Sequence, residues 1–296
     1  MKRHLLAALA IVFLVTPMHA GPLAYATTIS ADGKSSFGIV DLSLGVFHPL
    51  TTPPNPLGAL GFVKEGAFYS IDNYNVLVRI DATTGIAKDI GPTGTSVPSA
   101  LPPGVGSNPI AVTSDGRIFS IDLYGMLYSV DPATGASKVL GPTGIPVPDY
   151  ADPQFTFTNG FTNVGNQLYY LWGGGDSKRT IPMHLYRIDP QSYLTYDVGP
   201  TGIETVGSLG VAQGRLFGMI FAPDTYASVA IAEIDIQTGK ATVYSRMPEG
   251  QDYILSISDT PEPSLASQLP PLTGLAIGRP HGLLRRMGPK SADRNP

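Results

Sequence analysis

The chain has 296 residues, 43 % of them hydrophobic and only 14 % charged, with a formal net charge of −4. That balance offers no attraction for nucleic acid, and no nucleic-acid partner is expected. The absence of cysteine excludes disulfides, thiolate metal sites and a cysteine nucleophile, and the 34 glycines and 28 prolines demand many turns between short elements.

Lys2, Arg3 and His4 precede an apolar run from Leu5 to Val15, and mostly small residues follow as far as Ala20. This charged, apolar, small-residue order is that of a secretory signal peptide, and the run is too short for a comfortable membrane span. Cleavage after Ala20 is expected, by a signal peptidase. Ala24-Tyr25-Ala26 is the better A-x-A match, but Leu23 to Ile29 also reads as a strand, which favours the earlier site.

The body of the chain repeats. Arg117 to Gly144 aligns without a gap on Ala67 to Gly94, and 13 of the 28 positions are identical. A period of about 40–50 residues signals a repeat architecture. In the clearest copy, short apolar strands are predicted over Ile110–Thr113, Arg117–Asp122, Met126–Asp131 and Ser137–Leu140. Turn signals separate them, which describes an antiparallel meander. Preceding that copy are Gly61–Val63, Ala67–Asp72, Val76–Asp81 and Ala87–Ile90. It is followed by Phe161–Val164, Gln167–Trp172, His184–Asp189 and Leu194–Val198, then by Ser208–Val211, Arg215–Phe221, Ser228–Asp235 and Ala241–Tyr244. The third strands end on Asp41, Asp81, Asp131, Asp189 and Asp235.

The first unit has only three strands, Leu23–Ile29, Ser36–Asp41 and Val46–Leu50, while Tyr253–Ser258 is a strand with no unit of its own. A row of such sheets exposes its edges unless the ring closes. The expected fold is therefore an all-β propeller over 21–258, with five four-stranded antiparallel blades and the C-terminal strand completing the first. The repeated pattern L-Y-x-x-x … L-x-x-I-D-x-x-T-G-x-x-x-x-I-G resembles secreted bacterial propellers of the NHL and quinoprotein-like type. That motif is structural and carries no catalytic residue with it.

Residues 259–296 form a proline-rich tail. Pro261-Glu262-Pro263, apolar residues and Arg285-Arg286 resemble a PEP-CTERM sorting signal, in degenerate form. Pro270, Pro271, Arg279 and Pro280 interrupt what should be a continuous helix, and proline breaks helices. The resemblance implies an exported bacterial protein at the cell surface or in the matrix, processed by an exosortase. A disordered tail is the other reading.

Catalytic patterns are thin. No H-E-x-x-H, G-x-S-x-G or EF-hand loop occurs, and no catalytic residue, metal or cofactor is expected. His48 and His184 fall in different blades and read as packed or surface histidines. The Asp-x-x-Thr-Gly aspartates suit turn-building better than metal binding. Gly-Pro-Thr-Gly, starting at Gly91, Gly141 and Gly199, reads as a blade-to-blade turn, since it lacks the lysine of a phosphate loop.

In a propeller, the connections from second to third strand and from blade to blade share one face. Here they are the long ones, Pro92–Pro109, Pro142–Gly160, Gly173–Met183 and Ala222–Ala227, and long loops on a rigid scaffold are where binding resides. That face is expected to offer Asp72, Tyr74, Asp122, Tyr124, Trp172, Asp176, Lys178 and Arg179. An aromatic face beside hydrogen-bonding groups suits a polar polymer, so an exopolysaccharide or a surface protein is the expected partner; the same residues also suit ordinary solvent-facing loops. Trp172 fits either a binding platform or a buried position between blades. The alternative to a binding protein is a lactonase-like hydrolase or lyase with its site at the central channel, which needs polar groups converging there. The inner strands are nearly devoid of them, Asn163 being an exception.

Overall fold

The computed structural model describes residues 21–30, 34–63, 66–95, 108–147, 156–175, 180–222, 228–249 and 253–258. The chain divides into two units, Met1–Pro261 and Glu262–Pro296. Pro261 and the whole second unit, with Glu262, Pro263, Arg285 and Arg286 of the sorting-like motif, lie outside the described residues, as does the expected signal peptide.

The described chain is all strand and turn, arranged as five four-stranded antiparallel sheets. Blade 1 holds β1 (Leu23–Ile29), β2 (Ser35–Asp41) and β3 (Val46–Thr51), and blade 2 holds β4 (Leu57–Val63), β5 (Ala67–Asp72), β6 (Val76–Asp81) and β7 (Ala87–Pro92). In blade 3 are β8 (Ile110–Val112), β9 (Ile118–Ile121), β10 (Met126–Val130) and β11 (Ser137–Pro142). Blade 4 comprises β12 (Thr156–Val164), β13 (Gln167–Gly175), β14 (Thr180–Ile188) and β15 (Thr195–Pro200); blade 5 comprises β16 (Val206–Ala212), β17 (Arg215–Phe221), β18 (Ser228–Ile234) and β19 (Ala241–Arg246).

The last strand, β20 (Tyr253–Ser258), pairs antiparallel with β1, so the order in blade 1 is β20-β1-β2-β3. The innermost strands then touch in a closed circuit, β20 to β4, β8, β12, β16 and back to β20. Glycines permit this approach. A Cβ on Gly210 would collide with the Ile257 carbonyl oxygen, one on Gly160 with the Leu209 backbone nitrogen, and one on Gly61 with the Val112 side chain. The five blades and the closing strand are therefore as the repeat predicts.

Each blade is buried on both faces, because side chains alternate along a strand and each blade has a neighbour on either side. On β13, Leu168, Tyr170 and Trp172 join Phe119, Ile121 and Leu127 in the seam with blade 3. Tyr169 and Leu171 point the other way, joining Leu209, Leu216 and Ile234 in the seam with blade 5. The remaining three clusters fill the other three seams in the same manner. The core is a ring of five seams, which accounts for strands that read as nearly continuous apolar runs.

The outer strands show a feature that sequence patterning missed. All five are bulged at the equivalent residue, Leu50, Ile90, Leu140, Val198 and Tyr244, where the pairing register slips by one. In four blades the extra residue turns into the core: Ile90, Leu140, Val198 and Tyr244 each pack on a seam cluster, whereas Leu50 stays exposed. A bulge also bends the free edge away from straight pairing, which guards against edge-to-edge aggregation.

The third-strand aspartates build turns, as their pattern suggests. Asp81 Oδ1 accepts from the Thr84 and Thr83 N–H groups at 2.8 and 3.0 Å, and Asp131, Asp189 and Asp235 repeat the arrangement. The Thr84, Ala133 and Ser192 N–H groups hold the carboxyls of Asp81, Asp131 and Asp189 respectively below the usual carboxylate range. The glycine closing such a turn abuts the end of the preceding blade's outer strand. A Cβ on Gly135 would strike Gly91, and one on Gly239 would strike Gly199. Blade 4 has Tyr193 there, at φ 61°, and the facing Gly141 has nothing within 4 Å of a built Cβ. The absence of that close contact explains why a side chain is admitted.

Two predictions follow from this architecture. Truncation before Tyr253 removes Ile254 and Ile257 from a seam and bares the edge of β1, so the melting temperature should fall steeply; an unchanged melt would refute ring closure as the source of stability. The pH dependence has a definite sign. Because folding lowers the pKa of Asp81, Asp131 and Asp189, their contribution is complete above the unfolded value of about 4 and is lost as pH falls through the folded values. Asp131→Asn keeps an acceptor for the turn, and thermal melts of that variant should show a shallower acid decline than the parent.

Candidate functional site

The candidate site is the face carrying the second-to-third-strand turns and the blade-to-blade connections. Its two best-defined turns have the same construction. In blade 2, Asp72 Oδ1 accepts from the Tyr74 and Val76 N–H groups, both at 2.9 Å. In blade 3, Asp122 Oδ1 accepts from Tyr124 and Met126, again at 2.9 Å. The turn needs a left-handed residue after each tyrosine, supplied by Asn75 (φ 60°) and Gly125 (φ 72°).

The second carboxylate oxygens are occupied too. Asn55 Nδ2 donates to Asp72 Oδ2 at 3.1 Å, and the Tyr128 hydroxyl donates to Asp122 Oδ2 at 2.7 Å. Both aspartates are buried, and these hydrogen bonds compensate the desolvation of their oxygens. The expectation that Asp72 and Asp122 present carboxylates to a ligand is corrected accordingly: they hold the turns from beneath.

The Gly-Pro-Thr-Gly segments tie these turns to the connections. The N–H groups of Thr93, Thr143 and Thr201 donate to the carbonyls of Asn75, Gly125 and Met183 at 2.8, 2.8 and 2.9 Å. The Thr143 hydroxyl adds a 2.8 Å bond to Gly125 O, and the N–H of the residue two further on returns to the threonine hydroxyl in all three copies. In blade 2 the connection is bonded again, through Asn75 Nδ2 to Thr95 O and Asn108 Nδ2 to Thr95 Oγ1, at 3.2 and 2.7 Å. Each threonine is buried. The sequence identified these segments as turns; their role as clamps on a distant turn depends on a blade's end folding back over it.

On these clamped turns Tyr74 and Tyr124 stand outward, 70 % and 49 % exposed. They occupy the same repeat position in neighbouring blades. Trp172 does not join them. It is 1 % exposed, stacks on Tyr170 with ring centroids 5.9 Å apart, and donates from Nε1 to Pro146 O at 2.7 Å. The platform reading of Trp172 is therefore corrected to the core reading. Alternation along β13 places it with Leu168 and Tyr170 in the seam. Asp176, Lys178 and Arg179 lie outside the described residues. The expected long turn Gly173–Met183 is shorter than anticipated: β13 runs to Gly175 and β14 starts at Thr180, because Gly174 and Gly175 pair with Ile181 and Thr180.

Elsewhere, His184 lies on β14 with Nδ1 3.0 Å from Asp197 on the outer strand. Beside it, burial pushes the Tyr186 phenol up to about 12, with the Asp197 charge adding to the effect. Both positions lie within blade 4 and away from the two tyrosine turns in sequence. Among the described residues, no three carboxylate or histidine side chains are grouped as a metal site. Asn163, singled out in sequence on the inner strands, donates to Gly165 O at 3.0 Å within its own turn; the inner strands also carry the buried Thr162, Ser208, Ser256 and Ser258.

Fold and face together define a five-bladed β-propeller with one elaborated surface. No protein-family model matches this chain, and no curated protein matches it in sequence. Among solved structures, a chain of a nidogen/laminin complex is 13 % identical over 80 % of this chain and 97 % of its own, with a TM-score of 0.48. TolB from Acinetobacter baumannii is 14 % identical over 78 % of this chain, with a TM-score of 0.46, and this chain spans 54 % of its length. A hydrazine synthase chain from Kuenenia stuttgartiensis is 13 % identical over 70 % of this chain and 51 % of its own, with a TM-score of 0.39. Likenesses this remote carry no argument about ligand or process.

The tryptophan yields a direct check. Trp172→Ala should destabilise the fold by about 3–5 kcal/mol, read as a shift in the urea midpoint, and Trp172→Phe by less, since the ring is retained and one hydrogen bond is lost. A Trp172→Ala variant as stable as the parent would contradict the seam placement.

Proposed function

We propose that this protein is an exported, non-catalytic propeller that holds an extracellular polymer or surface protein on its connection face. The observation that carries this reading is the clamping of that face. Buried aspartates and threonines fix turns whose tips expose tyrosines, so a partner meets a surface already ordered, and binding loses less entropy. Export rests on the signal-like N-terminus and the PEP-CTERM-like tail, and the cell surface or matrix is the corresponding location. The relation to NHL and quinoprotein-like propellers rests on the repeat motif. The hub favours binding over the lactonase-like alternative: the strands β8 and β16 are buried along their whole length, and glycines bring inner backbones into contact where a channel site needs room.

Hydrogen exchange of the full chain, with and without polymer and protein fractions of a bacterial extracellular matrix, tests this. Protection should concentrate on 72–76, 122–126 and the connections after β7 and β11. Protection confined to the opposite face, or metal-dependent hydrolysis of a lactone or ester by the wild type, would overturn the proposal.

A further inference from the structure

The two tyrosine turns specify more than a face. Tyr74 and Tyr124 sit at the same point of the same turn in adjacent blades, each two residues beyond a buried aspartate that bonds its N–H at 2.9 Å. Each turn is capped by the equivalent threonine at 2.8 Å. The protein thus presents one aromatic group twice, one blade step apart, on turns that hydrogen bonds hold in the same way in each blade. A surface that repeats its contact suits a ligand that repeats its unit.

We infer that Tyr74 and Tyr124 form a two-point stacking site for a neutral polysaccharide built of pyranose rings. This rests on the binding role proposed for the connection face. A pyranose ring has an apolar C–H face and hydroxyls around its rim, which matches a phenol with an apolar body and a wet hydroxyl. Tyrosine brings contact area at little cost in side-chain entropy. The carboxylates of Asp72 and Asp122 each accept three hydrogen bonds within the blade ends and are buried, so neither is presented beside the rings. The net charge of −4 disfavours an acidic polymer at long range. Because the two contacts are on one rigid body, a chain that reaches both gains through effective concentration, and losing either ring forfeits that gain.

Affinity electrophoresis of the full chain through gels containing hydroxyethylcellulose, dextran, galactomannan or alginate tests the inference. The wild type should be retarded by at least one neutral polymer and less by alginate. Tyr74→Ala and Tyr124→Ala should each weaken that retardation about tenfold with unchanged melting curves, and Tyr74→Phe and Tyr124→Phe should keep most of it. Oligosaccharides too short to span two blades should not distinguish wild type from the single variants. Retardation unchanged in both alanine variants overturns the tyrosine site; if the bound polymer still protects the connection face from exchange, the broader binding role survives. No retardation in any neutral gel, while a matrix protein protects that face, overturns the polysaccharide and leaves the face.

Discussion

The pairing of β20 with β1 joins the two ends of the folded body, and the rest of the structure depends on it. Without that strand blade 1 has no inner member, the edge of β1 is bare, and the circuit of inner strands is open between β16 and β4. Hydroxyls reinforce the joint: Thr27 Oγ1 and Ser256 Oγ lie 2.9 Å apart, and both bond Gly58 O at 3.0 and 3.2 Å. One carbonyl of blade 2 is thus shared by strands from near the two ends of the body. This contact spans most of the chain, and loop-closure entropy opposes it until the intervening blades are formed.

A closed ring makes every blade an interior layer. That requirement explains the low charge content and the reading of middle strands as uninterrupted hydrophobic segments. It also leaves the outer strands as the free edges. The shared bulge answers both demands at once, by placing an apolar residue in the seam and by disturbing the edge. The seam between blades 3 and 4 is joined differently from its neighbours. Where Ser137 and Ala241 give backbone bonds to Thr93 O and Thr201 O across their seams, here side chains cross: Arg117 to Pro190 O at 3.0 Å, Ser114 to Asn166 at 3.0 Å, and Trp172 to Pro146 O.

The same economy of parts governs the connection face. The strand that ends a blade continues into a threonine that fastens the turn two strands inward, so the surface offered to a partner is set by blade assembly. Tyrosines on such turns differ from tyrosines on free loops, because their backbone is already placed when a partner arrives. The opposite face has its own aspartate turns, which instead meet the neighbouring blade's outer strand through glycine. Two sets of aspartate turns with similar local chemistry thus serve different ends, one presenting side chains and the other sealing the rim.

The sequence by itself determined the number of blades, the closing strand and the turn positions. Those follow from local signals, namely alternating apolar runs, Asp-x-x-Thr-Gly turns and an internal repeat, and repetition multiplies a weak signal five times. It also marked the face that carries the long connections, because connection length is visible in the chain. Tertiary structure alone decided which residues on that face meet solvent. Asp72 and Asp122 look available in sequence, yet Asn55 from the preceding connection and Tyr128 from the next strand complete their burial. Trp172 ends its strand beside three glycines, as a surface residue could, yet the pairing of those glycines carries β13 onward and leaves the indole inside the seam. Whether a side chain is covered depends on what a distant part of the chain lays over it, and no local pattern encodes that contact.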